Sequence, residues 1–199
     1  MELIKICYVD DDIDLYASRY LRMGYSCDGV EIKYKQCTFL EQDTYESLLK
    51  KDEVKEADVI IVDSKLFKNA SIANDKLSGE EFSIIIRKVF PYKEIMVITQ
   101  NDVDDECLIF KKYDSSTGQD ATLFFEKQWK PILDKAIKNI LTCHKWLKQI
   151  EEKNYVETYL LEKIQSSLEG NAEYEGLTVK DIDKLVEAFE SVKGKYENE

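Results

Sequence analysis

Short apolar runs alternate along this chain with stretches of helical spacing. Ile4-Lys5-Ile6-Cys7-Tyr8-Val9, Val30-Glu31-Ile32-Lys33-Tyr34, Asp58-Val59-Ile60-Ile61-Val62, Ile95-Met96-Val97-Ile98 and Thr122-Leu123-Phe124-Phe125-Glu126 read as five strands. The third is apolar nearly throughout, as a central strand covered on both faces should be. Between them, Leu15, Tyr16, Arg19, Tyr20 and Met23 carry a helical face ended by Gly24. Asp43 is placed to cap a short helix through Leu49, and Glu80 to Phe90 reads as a helix closed by Pro91. A further helix is expected from Asp102 to Tyr113, before Gly118 leads into the fifth strand. Strands alternating with helices predict βαβ units, hence an α/β fold with a five-stranded parallel sheet in the flavodoxin-like order 2-1-3-4-5.

The pattern changes at Pro131, which suits the first turn of a helix. No breaker follows until Gly170, and Ile137, Ile140, Leu147, Ile150, Leu161, Ile164 and Leu168 make a stripe of mostly 3-and-4 spacing. At roughly 1.5 Å per residue, such a helix overruns a five-stranded sheet, so its second half must bury its stripe elsewhere. Gly170 to Gly176 reads as a turn, and Thr178 with Asp181 as a capping pair for a final helix carrying Ile182, Leu185, Phe189 and Val192. The expected division is residues 1–143 as the α/β domain and 144–199 as a helical extension. The extension is read as a hairpin, with a homodimer through the same helices as the other use of the stripe.

Charge and cysteine content narrow the classes. A formal net charge of −12 excludes general nucleic-acid binding, which needs clustered Lys and Arg. No apolar stretch approaches the roughly 20 residues of a membrane span, and Met1-Glu2-Leu3-Ile4-Lys5 lacks the regions of a signal peptide. Five cysteines without a Cys-x-x-Cys pair fit reduced thiols in the cytoplasm, and a single histidine, His144, leaves no basis for a zinc site. His144 itself reads as a surface or packing residue.

The candidate chemistry sits where four apolar runs end. Asp10 and Asp11 follow the first, Asp63 the third, Thr99 the fourth and Lys127 the fifth. In open α/β sheets, ligands bind outside the carboxyl ends of the strands. Three clustered carboxylates repel one another unless a cation or proton neutralises them, and their hard oxygens favour Mg²⁺. With a lysine and a hydroxyl added, the set suits phosphoryl transfer, with Asp63 as nucleophile.

In order and spacing these residues resemble the receiver domain of two-component response regulators, over roughly residues 3 to 143. The resemblance implies that Asp63 is the phospho-acceptor for a sensor histidine kinase or phosphotransfer protein. It further implies that Asp11 binds Mg²⁺ directly and Asp10 largely through water, and that the main-chain carbonyl of Lys65 completes the metal site. Thr99 and Lys127 would serve the phosphoryl group, and Phe124, three residues before Lys127, would be the aromatic switch. By itself Phe124 reads as core. Such a protein is not an enzyme beyond hydrolysing its own acyl phosphate, and it acts through contacts with a protein target. The chain departs from the family pattern at Ser64-Lys65-Leu66-Phe67, at Gln100, at Gln128 after Lys127, and in an apparent insertion from Phe67 to Leu77 that puts the matching glycine at Gly79. Those departures keep open a receiver-like scaffold that binds partners without phosphorylation. A phosphoryl-transfer hydrolase needs a second aspartate two residues after the nucleophile, where this chain has Lys65.

Overall fold

The computed structural model describes residues 1–66, 78–101, 109–153 and 157–170. Five parallel strands form one sheet in the order β2-β1-β3-β4-β5: β1 Glu2–Asp10, β2 Val30–Thr38, β3 Val59–Asp63, β4 Glu94–Thr99 and β5 Ile109–Lys111. The expected flavodoxin-like sheet is therefore present, with β1 and β3 adjacent where the order reverses.

Alternation along the strands sorts side chains into two cores. Ile4, Ile6 and Tyr8 of β1, Val59 and Ile61 of β3, and Met96 and Ile98 of β4 pack on one face. They meet α1 (Leu15–Arg19), α5 (Ala121–Gln128) and α6 (Lys130–Lys153) through Ala17, Phe125, Trp129, Leu133, Ile137 and Ile140. Cys7, Val9, Ile60, Val62, Ile95 and Val97 point the other way. There they meet α2 (Tyr45–Lys50), α3 (Asp52–Lys55) and α4 (Gly79–Val89) through Leu48, Val54, Phe82 and Ile86.

Local chemistry fixes several boundaries. Thr44, rather than the expected Asp43, caps α2 in a reciprocal pair with Ser47, because Asp43 is taken by the Leu40 N–H and by Lys51. Ser78 and Glu81 form the same kind of box at the start of α4. α1 runs on into a π-helical turn over Tyr20–Gly24, and it buries Ala17, Ser18, Tyr20 and Leu21. Of the expected face, Leu15, Tyr16 and Met23 are instead exposed.

Two expectations are corrected. Residues 122–126 are not a strand but lie in α5, whose N-cap Asp120 accepts the Leu123 N–H at 2.9 Å. The buried residues Phe125, Trp129, Leu133, Ile137 and Ile140 recur at three to four positions through α5 and α6, which is helical spacing. The fifth strand is instead the short edge β5, near the end of the expected helix 102–113; residues 102–108 of that helix lie outside the described ones.

The long helix from Pro131 is also two pieces. α6 ends at Lys153, α7 runs over Thr158–Leu168, and Gln165 of α7 donates back to Glu151 of α6 at 2.5 Å. The expected boundary at 143 falls inside α6. His144 pairs with Glu2 at the N-terminal end of β1, a packing role. Gly170, at φ +78, lies against the backbone of Lys55, where a Cβ would come 2.1 Å from the carbonyl oxygen. The expected final helix lies outside the described residues. Among the described residues no helix is long and apolar enough to cross a membrane.

Candidate functional site

The crevice at the carboxyl ends of β1, β3 and β4 is lined by Asp10, Asp11, Asp12, Asp63, Lys65, Thr99, Gln100 and Lys112. Sheet register brings the acids together. Val9 pairs with Val62, so Asp10 and Asp63 follow side by side at the crossover point. One carboxylate oxygen from each of Asp10, Asp11 and Asp63 lies within 4.8 Å of the others. Asp10 and Asp63 are buried and Asp11 is half-buried. Protein donors reach two of these carboxylates, Asp10 and Asp63.

Asp10 is held most tightly. Its Oδ2 accepts the Tyr8 hydroxyl and the Lys112 ammonium, the latter at 2.6 Å, while Oδ1 accepts the Asp12 N–H at 3.2 Å. Burial nonetheless raises its pKa to about 6, against the opposing pull of Lys112 and Tyr8. Asp63 accepts the Lys65 N–H on Oδ2 at 2.8 Å and faces Lys112 at 3.5 Å on Oδ1. Burial opposes the charge on Lys112, but the two carboxylates outweigh it and hold its pKa above the ordinary lysine value.

Thr99 is buried at the end of β4, and its Oγ1 accepts the Asn101 N–H at 3.2 Å. Its carbonyl receives the Lys112 N–H at 2.6 Å, which fixes the strand end that carries the lysine. Ser64 N–H binds the Ile98 carbonyl at 2.8 Å, tying the residue after Asp63 to β4.

The sequence reading and the structure part over the lysine. Lys127 is exposed on α5 and does not line the crevice; Lys112, directly after β5, takes that place. The physical cause is the misplaced strand: a residue in the last turn of α5 cannot occupy a sheet edge. Phe124 is likewise a core residue of α5, packed against Tyr113 and Phe125, and not at the crevice. Three residues before Lys112 stands Ile109 rather than an aromatic residue, and Tyr113 follows the lysine. Gln128 also lies in α5, so it bears on no residue of the crevice. Lys112 carried one legible signal, the apolar Ile109-Phe110 just before two lysines.

Gly79, at the start of α4, packs against the residues that end β3. Its N–H binds the Ser64 carbonyl at 2.9 Å, and a Cβ there would come 2.3 Å from the Asp63 carbonyl oxygen. Ser64 Oγ donates to Glu80 at 2.6 Å, so both residues at the start of α4 grip the one after Asp63. Ser64 and Gly79 are thus tied together in a neck next to Asp63.

The donor set fits a hard divalent cation. The acids supply oxygens only, two of the three are buried, and among the described residues no other group of three His, Cys, Asp or Glu could hold a metal ion.

No protein-family model matches this chain, and no curated protein matches it. Among solved structures it is similar to one described as the two-component response regulator RcsB–DNA complex, at 15% identity and a TM-score of 0.35, covering 87% of this chain and 95% of that one. At that level the likeness carries no argument about function, and the site has to carry it.

Proposed function

We propose that this protein is a receiver-type signalling module in which Asp63 accepts a phosphoryl group in a Mg²⁺-dependent reaction. The observation that supports it is the convergence of Asp10, Asp11, Asp63, Thr99 and Lys112 in one crevice at the sheet's crossover point. A carboxylate oxygen of Asp63 attacks the phosphorus of the donor, the P–N bond of a phosphohistidine breaks, and its electron pair stays on the imidazole. The product is an acyl phosphate on Asp63. Asp11, Asp63 and the Lys65 carbonyl would hold Mg²⁺, with Asp10 acting through water; the ion supplies neutralising charge for the transferring oxygens. Lys112 is placed to follow the phosphoryl oxygens from its position 3.5 Å from Asp63, and Thr99 to donate its hydroxyl to them.

The donor class is a sensor histidine kinase or phosphotransfer protein, and the output is a contact with a protein target. Turnover is limited to hydrolysis of the protein's own acyl phosphate. With Ile109 where an aromatic switch would stand, the response does not run through the aromatic residue expected at Phe124. A second reading, a receiver-like scaffold that is never phosphorylated, is favoured by Lys65 and Gln100, which line the mouth of the crevice. Intact-mass measurement with a small-molecule phosphodonor and Mg²⁺ separates the two. The first reading expects one added phosphoryl group, lost in Asp63→Asn because an amide is no comparable nucleophile. No addition, or an addition that Asp63→Asn retains, favours the scaffold.

A further inference from the structure

One polar group in the site has no part in the transfer just described: the hydroxyl of Tyr8. We propose that Tyr8 is a positioning residue that sets how Lys112 divides itself between Asp10 and Asp63, by donating its hydroxyl into the Asp10 oxygen that Lys112 also binds. The inference rests on the phosphoryl-transfer reading, since it assigns the consequence of that division.

Tyr8 and Asp10 lie two residues apart on β1, so both project from the same face of the sheet. Val59 and Ile61 of β3 belong to that face, which makes Asp63 the next residue on it, and Lys112 follows Phe110 of β5 on the same side. The ring of Tyr8 is 0% exposed among Ile6, Ile61 and Ile98, a setting that a phenylalanine would fill as well. A buried phenol costs free energy unless its hydroxyl is paired, and here its partner is Asp10 Oδ2.

That oxygen is shared. Lys112 Nζ sits 2.6 Å from Asp10 Oδ2 and 3.5 Å from Asp63 Oδ1, so at rest it belongs mainly to Asp10. Any phosphoryl group on Asp63 needs Lys112 to move toward it. An O–H donated into Oδ2 takes up part of the negative charge there and weakens the hold on the ammonium. Without the hydroxyl, Asp10 binds Lys112 harder and draws a cation at least as well. The two ligands of the site are then affected differently: phosphoryl binding suffers and metal binding does not. A hydroxyl that served packing alone would weaken both or neither.

The test uses the full chain as wild type, Tyr8→Phe, Asp10→Asn and the double variant at pH 8. Mg²⁺ affinity is measured alone, then beryllofluoride affinity at saturating Mg²⁺, with the ¹⁵N resonance of the Lys112 ammonium followed without ligand. Tyr8→Phe is expected to weaken beryllofluoride roughly tenfold, the scale of one hydrogen bond to a charged group. It should leave Mg²⁺ affinity unchanged or tighter and shift the Lys112 resonance. In the Asp10→Asn background the same substitution should change none of these. Equal weakening of both ligands, no change in any readout, or an undiminished effect in the Asp10→Asn background overturns the role of Tyr8. If the wild type binds no beryllofluoride, the phosphoryl reading fails instead. The Lys112 resonance then still decides whether Tyr8 governs the lysine, and an unshifted resonance refutes it.

Discussion

Replacing Lys112 by methionine keeps most of the aliphatic stem and deletes the charge that Asp10 and Asp63 share. The lysine side chain is 9% exposed, and those of Asp10 and Asp63 are 1% and 11% exposed, so the ion pairs are largely buried. Breaking a buried ion pair from one side typically costs about 3–5 kcal/mol, because the remaining charge is left uncompensated. Two carboxylates are left here, so the upper part of that range is expected at pH 7.5. With burial already raising Asp10 to about 6, the cost should shrink at pH 5, where that group is largely protonated before the substitution. Urea unfolding reported by Trp129, which is fully buried at the α5–α6 junction, provides the assay. Lys127→Met is the control: an exposed side chain on α5, expected to lie within roughly 0.5 kcal/mol of wild type. Equal losses for the two lysines, or a neutral Lys112→Met at pH 7.5, would refute the ion-pair argument and with it the assignment of Lys112.

The raised Asp10 pKa has its own signature. Its folded value of about 6 exceeds the ordinary 3.8, so the metal-free protein binds an extra proton between those values, and this group's stabilisation, at most about 3 kcal/mol, is lost as pH rises from about 4 to about 6. Mg²⁺ affinity should run the other way and fall as pH drops through 6; a titration by calorimetry showing a flat profile from pH 8 to pH 5 would contradict it. Gly79→Ala places a Cβ 2.3 Å from the Asp63 carbonyl oxygen and 2.9 Å from Ser64 Cα. The backbone must shift there, so both thermal stability and Mg²⁺ affinity should drop, and an alanine variant with unaltered Mg²⁺ affinity would show that the contact does not position Asp63.

The central strands were legible because each is a buried run of β-branched and aliphatic residues ending in a polar group. The acids at their ends followed. β5 was not, because an edge strand of three half-buried or exposed residues has no room to show alternation. Thr122 to Phe125 imitated a strand better than the strand did, and only the continuation of its apolar positions through Trp129, Leu133 and Ile137 reveals a helix. That error moved the lysine fifteen positions, from 112 to 127. At Gly79 a glycine is required by the close approach to the Asp63 carbonyl, which no pattern of apolar positions displays. The hydroxyl of Tyr8 stayed hidden for another reason. Within an apolar strand a tyrosine counts as one more buried ring, and only the side-chain geometry reveals what its oxygen meets.

The neck between Ser64 and Gly79 also makes the protein adaptable by engineering. Its closing hydrogen bond and the Ser64–Glu80 contact join Ser64 to the start of α4, whatever chain runs between them. Loop closure grows only logarithmically more expensive with length, about 0.6 kcal/mol per doubling. Residues 67–77 are therefore a place to graft an affinity tag, a protease site or a fluorophore-bearing peptide. Such a cassette would be anchored through Ser64 and Gly79, next to Asp63, while the sheet stays in register.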